Sequence, residues 1–198
     1  SVAVPGEDEE DTEAFRQRYY ETLRNHKYGF NIAEYRSQVE QLPGVGAVQV
    51  YPADPEPGHV RLVITSADWS PASSVLVSQV QEIIDPVPYQ QKGMGRAPIG
   101  HYVTVESANP VTVNVRLQLV LNPGSTLSSI EPQVTAVLEQ YLLELRSGFA
   151  DSYDPVNPDT TGISVRQAHI ETRVLAIDGV MDVIETWING VPENLTTP

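Results

Sequence analysis

The fold is decided by one stretch, Asn31-Ile32-Ala33-Glu34-Tyr35-Arg36-Ser37-Gln38-Val39-Glu40-Gln41-Leu42-Pro43-Gly44-Val45-Gly46-Ala47-Val48-Gln49-Val50-Tyr51. Asn31 followed three residues later by Glu34 is a capping box, in which each side chain satisfies a backbone N–H of the other's turn. Tyr35, Val39 and Leu42 recur at helical spacing and make an apolar stripe. Pro43-Gly44 stops the helix. From Val45 to Tyr51 the period changes from helical to alternating, with Val48 and Val50 set against polar neighbours, which predicts a strand. With the elements read on either side of it, this helix and strand put the chain in the α+β class.

Working outward on the N-terminal side, the acidic run Glu7-Asp8-Glu9-Glu10-Asp11-Thr12-Glu13 precedes Arg16, Arg18, Arg24 and Lys27. That charge order complements a helix dipole, and the run reads as a solvated helix entry more readily than as a docking tail. Phe15, Tyr19 and Leu23 form that helix's narrow stripe. On the C-terminal side, the loop from Pro52 to Gly58 leads to a second strand, Val60 to Ile64, expected antiparallel to the first. Ser70-Pro71 is expected to open a third helix on Leu76, Val80, Ile83 and Ile84, broken by Asp85-Pro86-Val87-Pro88. Residues 1–86 thus read as an α-α-β-β-α unit, and the aperiodic segment 87–98 as a linker.

Residues 99–198 read as a β-β-α-α-β unit with a partial C-terminal hairpin. Its strands are Tyr102 to Val105 and Val111 to Leu121, with Asn122-Pro123-Gly124 as the turn. An amphipathic helix follows on Ile130, Val134, Val137, Leu138, Tyr141, Leu142 and Leu145. Pro132 belongs in a first turn, which Ser129 as cap would supply. After a polar loop over 149–162, Ser164 with Gln167 forms a second capping box for a helix on Ile170, Val174 and Ile177. Val180 to Ile188 is a strand, and Asn189-Gly190 is a two-residue hairpin signal opening a return strand over Val191 to Leu195.

The two units repeat each other in permuted order. Val39, Leu42, Gly44, Val45 and Val48 have counterparts 135 residues later in Val174, Ile177, Gly179, Val180 and Val183. Val60-Arg61-Leu62 recurs as Val115-Arg116-Leu117, each time ahead of a turn and an amphipathic helix. The expected architecture is two small α/β sandwiches of related plan, each a short antiparallel or mixed sheet packed with two or three helices.

Composition excludes several function classes. The net charge of −14 repels phosphate backbones and argues against nucleic-acid binding. No apolar run is long enough to span a membrane. Zero cysteines leave no thiolate ligand, disulfide or Cys nucleophile. His26, His59, His101 and His169 lie far apart, without metal-ligand spacing, and read as surface or edge histidines. Lys92 to Gly100 has two cations and glycines but not the phosphate-loop spacing. Asp151, Asp154, Asn157 and Asp159 could crowd a cation, but the spacing is not that of a calcium loop. No serine sits in Gly-x-Ser-x-Gly. No catalytic residue, no cofactor and no metal is therefore expected. Trp69 and Trp187 read as packing residues or interface anchors. Trp187, directly before a hairpin whose return strand is short, is the candidate interface residue, against the plainer reading that it plugs a small core.

Several segments, in order, resemble one family. Glu10-Asp11-Thr12-Glu13-Ala14-Phe15-Arg16-Gln17-Arg18-Tyr19 is similar to an acidic "EEFRERY" helix, and Asn31 to Tyr51 to the segment after it. Arg96 to Val105, Pro110 to Val115, Asp178 to Val183 and Asn189-Gly190 are similar to its last domain. These are features of the baseplate J-like proteins of contractile phage tails, in their C-terminal part. The resemblance implies a non-enzymatic wedge component around the tail hub. It also implies other wedge and hub proteins as partners, several copies per baseplate, and a place in the virion after assembly in the bacterial host cytoplasm. The alternative is a regulatory α+β module that binds a small ligand without catalysis.

Overall fold

The computed structural model describes residues 11–24, 29–155 and 162–197. Most of the acidic run, His26, and Asn157 and Asp159 of the aspartate-rich loop lie outside them. Among the described residues five α-helices, α1 (Thr12–Arg24), α2 (Ile32–Glu40), α3 (Ser74–Ile84), α4 (Leu127–Ser147) and α5 (Gln167–Leu175), are interspersed with seven strands. These are β1 (Val45–Pro52), β2 (His59–Ser66), β3 (Tyr102–Ser107), β4 (Val115–Leu121), β5 (Ser164–Val165), β6 (Val180–Ile188) and β7 (Leu195–Thr196). The class is α+β, with three small sheets among the described residues: β1-β2-β3, β4-β6 and β5-β7.

The first sheet has the order β1-β2-β3 and is mixed. β1 and β2 are antiparallel, pairing Val48 with Ile64 and Val50 with Leu62. β3 joins the other side of β2 in parallel, setting Val103 beside Val60 and Val105 beside Leu62. Together with Tyr35 and Val39 of α2 and Val80 and Ile84 of α3, these residues form one buried core. Burying each branched aliphatic contributes about 1.5–3 kcal/mol, so a row of them holds both helices on one face. α2 starts as its sequence predicts, with the Asn31 side chain accepting from the Glu34 N–H at 2.9 Å and Glu34 accepting from Phe30 N–H at 3.0 Å. α3 is capped by Ser73 instead of opening at Ser70-Pro71, because Pro71 bridges to Thr65 at the sheet's end.

The second core is built on the antiparallel pair β4-β6, covered by α4 and α5. Ile130 and Tyr141 of α4, Val165 of β5, Ile170 and Val174 of α5, Ile177 after it, and Val180 and Ile188 of β6 are its buried members. The helix-to-strand piece of the expected repeat has the same turn in both places. After α2, Leu42 N–H donates to Val39 O and Val45 N–H to Leu42 O; after α5, Ile177 N–H donates to Val174 O and Val180 N–H to Ile177 O. Gly44 and Gly179 turn the chain at φ of +88° and +101°.

Several expectations give way to longer-range structure. Tyr102 to Val105, expected in the second unit, pairs with β2 instead, and Val103 and Val105 lie in the first core. The segment 87–98, expected as a linker, is held on that core too: Arg96 and Ala97 N–H donate to Ile83 and Ile84 carbonyls, and Ala97 is buried. The next strand begins only at Val115. α4 is capped by Thr126, so Pro132 is its sixth residue and not in the first turn. The turn it interrupts is exposed, where a missing helix bond costs least. Ser164 is not a cap: it lies in β5, which pairs with β7, and Arg166 precedes α5 instead. The Asn189-Gly190 turn closes as a single Ile188–Val191 bridge, after which the chain leaves to form β7.

Candidate functional site

The sequence places Gln49, Tyr51 and Thr65 on what should be the first sheet's solvent face, alternating with its core residues. Gln49 and Thr65 are nevertheless 6% and 3% exposed, because the chain after α4 lies over that face. A 3-10 turn, Phe149–Asp151, sits against β1. Gln49 Nε2 donates to Phe149 O and to Ser152 Oγ, both at 2.8 Å, while Tyr51 Oη donates to Gln49 Oε1 at 2.7 Å. Arg36 of α2 reaches the same turn, donating to Ala150 O at 2.6 Å and pairing with Asp151 at 3.0 Å. The Tyr51 and Tyr153 rings meet with centroids 4.0 Å apart. Burial pushes the Tyr51 hydroxyl above its usual value, opposed by the Arg61 guanidinium 4.0 Å over its ring. At this joint between β1 and the turn after α4, the Tyr51 hydroxyl therefore stays protonated and able to donate at physiological pH.

Beside the joint lies a cavity of about 600 Å3, lined by residues of the first sheet's reverse face and of the second core. Its floor is the reverse face of β1 and β2; one side is the end of α4, with Leu142, Leu145 and Arg146. Residues 108–113, in the connection from β3 to β4 and in no helix or strand, line it as well. Trp69 forms a corner at φ +56°, a conformation that costs a bulky side chain on the order of 1 kcal/mol. Asp68 stabilises that turn by accepting from Ser66 and Ser70, and these bonds hold its carboxyl down at about 2.

The cavity's electrostatics differ from those of the chain. Among the described residues no Asp or Glu lines it, in a protein with 26 acids in 198 residues. Arg146, exposed at the rim, has no acid or hydrogen-bond partner for its guanidinium among the described residues. The connecting segment is similarly unsatisfied. Ala108 N–H donates to Ile64 O and Thr112 O accepts from Asn189 Nδ2, but no described group bonds the backbone of Val111 or Val113.

The residues singled out in the sequence do not gather here. Trp187 lies on β6, half-buried, with the Arg116 guanidinium 4.4 Å over its ring. His101 accepts or donates at 2.8 Å to Tyr35 Oη, His59 packs on Tyr102, and His169 packs on Tyr141. Among the described residues no three His, Asp or Glu side chains converge as a metal site. No described helix is long and apolar enough to cross a membrane. The sequence reading missed Arg146, whose position in the last turn of α4 marks it only as a dipole partner, and the 108–113 edge, which it assigned partly to a strand.

Comparison with known proteins agrees with this anatomy. Residues 27–107 match the Baseplate J-like central domain, and that match ends where β3 ends and the first core closes. The chain is 34% identical over 194 residues to the uncharacterized protein YqbT of Bacillus subtilis (strain 168). It is 30% identical over the same length to the phage-like element PBSX protein XkdT of that strain. Both alignments take in 98% of this chain but 51% of the relative, so the chain spans about half the length of these curated relatives. The fold also matches a chain in the cryo-EM structure of the anti-feeding prophage baseplate, at a TM-score of 0.61 and 16% identity. That match covers 98% of this chain and 41% of the other. Over residues 27–107, which hold the first core, the chain is thus similar to the Baseplate J-like central domain, the family that its motifs resemble.

Proposed function

We propose that the protein is a structural component of a contractile-tail baseplate, acting through protein–protein contacts and not through catalysis. The observation that carries this reading is the coincidence of the baseplate J-like central domain with a complete folding core. Its partners are other wedge and hub proteins, it is present in several copies, and it resides in the virion after assembly in the host cytoplasm. The contact surfaces are on the second unit. The β4-β6 sheet has two strands, and Met181, Ile184 and Val191 beside its free edge are each more than half exposed. Unpaired strand edges next to apolar side chains accept neighbouring chains.

The test is reconstitution with the proteins encoded beside it, followed by electron microscopy. Ring- or wedge-shaped particles containing the chain are expected. A chain that stays monomeric with all of those proteins present would sink the proposal.

A further inference from the structure

We infer that the cavity between the two cores receives an extended, carboxylate-bearing peptide segment of a different protein, paired against residues 108–113. The neighbour's identity as a baseplate protein rests on the function proposed above; the chemistry of the cavity does not. Three independent features converge. The first is space: about 600 Å3 is lined on one side by residues 108–113, which belong to no helix or strand. The second is backbone valence. Val111 and Val113 carry N–H and C=O groups with no partner among the described residues, and Val111 is 49% exposed. A strand laid beside them gains main-chain hydrogen bonds, while Leu142, Leu145 and Trp69 offer apolar surface to its alternate side chains.

The third is charge. A lining free of described acids, with one uncommitted guanidinium at its rim, is the reverse of the chain's overall character. A carboxylate is the partner that such a guanidinium binds bidentately. A phosphate-bearing ligand would call for several converging cations, and Arg146 is the only Lys or Arg on the described lining. A second copy of this chain is disfavoured as the donor, because two bodies of net charge −14 repel each other before any local pair can form.

The experiment is a titration of the 15N-labelled full chain followed by NMR. The probes are acetyl-Val-Thr-Val-Glu-Val-amide, the same peptide with Lys in place of Glu, and sodium acetate. The acidic peptide should shift the amides of Val111, Thr112 and Val113 and the side-chain resonance of Arg146. The Lys peptide should bind about tenfold more weakly, and R146A should remove that difference without altering the rest of the spectrum. Equal binding of both peptides, no shift at 111–113, or the full response with acetate alone would overturn the inference, the last by revealing a small-anion site. Reconstitution separates it from the baseplate reading. If R146E assembles as well as the unaltered chain, the cavity is not used. If the unaltered chain binds the acidic peptide yet joins no tail protein, the cavity stands and the baseplate reading falls.

Discussion

Arg116 and Trp187 face each other across the β4-β6 pair, with the guanidinium 4.4 Å over the indole. The first sheet repeats the arrangement, pairing Arg61 with Tyr51 at 4.0 Å. Each arginine comes from the Val-Arg-Leu triplet that the two units share. The difference lies in what else holds it: Arg61 also pairs with Asp54 at 2.7 Å, whereas Arg116 has no acid partner among the described residues.

This stacking predicts the behaviour of Trp187. A double-mutant cycle of R116A and W187A, read by urea denaturation, should give a coupling of about 0.5–1 kcal/mol, the range for an exposed cation–π pair. W187A alone should cost less than the about 3–5 kcal/mol of a buried Trp, and should weaken assembly in the reconstitution. A loss in the full core range with normal assembly would assign Trp187 to the core.

Gly44 and Gly179 occupy equivalent turns, yet their surroundings differ. A Cβ on Gly44 would meet Leu76 at an ordinary 3.4 Å, while one on Gly179 would meet Ser125 Oγ at 2.7 Å and Ile130 Cδ1 at 2.8 Å. G44A should therefore cost only the positive-φ strain of on the order of 1–2 kcal/mol. G179A should cost measurably more in thermal melts. Equal losses would show that Ser125 and Ile130 yield freely.

Asp85 is buried, and desolvation raises its carboxyl above the usual value although the Val103 and Gln91 N–H groups oppose the shift. A raised carboxylate pKa means that the folded state binds the proton more tightly than the unfolded chain does. Asp85's contribution is thus most favourable below the ordinary aspartate value of about 3.9 and is lost as pH rises through the folded value. D85N removes this dependence. Its stability relative to the unaltered protein, from urea melts, should improve as pH is raised from about 4, and a constant difference would refute the assignment.

We propose that the boundary between folding units lies after Ser107 and not within 87–98. A fragment ending at Ser107 keeps Ala97, Val103 and Val105 in the first core. It should melt cooperatively. A fragment ending at Pro86 exposes the β2 edge and leaves that core open, so it should show no cooperative transition by circular dichroism.

What could be read from the sequence was what local signals specify. The Asn31 cap, the Gly44 stop and their echo at Gly179 act within a few residues, and all appear where the spacing put them. The misplaced elements depended on distant partners. Nothing near Tyr102 says that it will lie parallel to β2, because that pairing is created by the return of the chain through α3. Ser164 has a cap's side chain, but Leu195 and Thr196 recruit it into a strand instead. The cavity was hidden for the same reason: Gln49 and Thr65 have the alternation of solvent-facing residues, and only the turn after α4 buries them.

The outer side of β3 is closed by side chains. Val103 N–H donates to Asp85 Oδ2, Val105 N–H donates to Gln81 Oε1, and Val103 O accepts from both Gln81 and Gln90. In an assembly of many copies, a sheet with two live edges would behave as a bifunctional monomer and grow without limit. Here α3 and the turn after it act as a chain terminator on that side. Growth by strand addition through the first sheet would stop at β3, and the size of any such particle would be left to the surfaces that remain open.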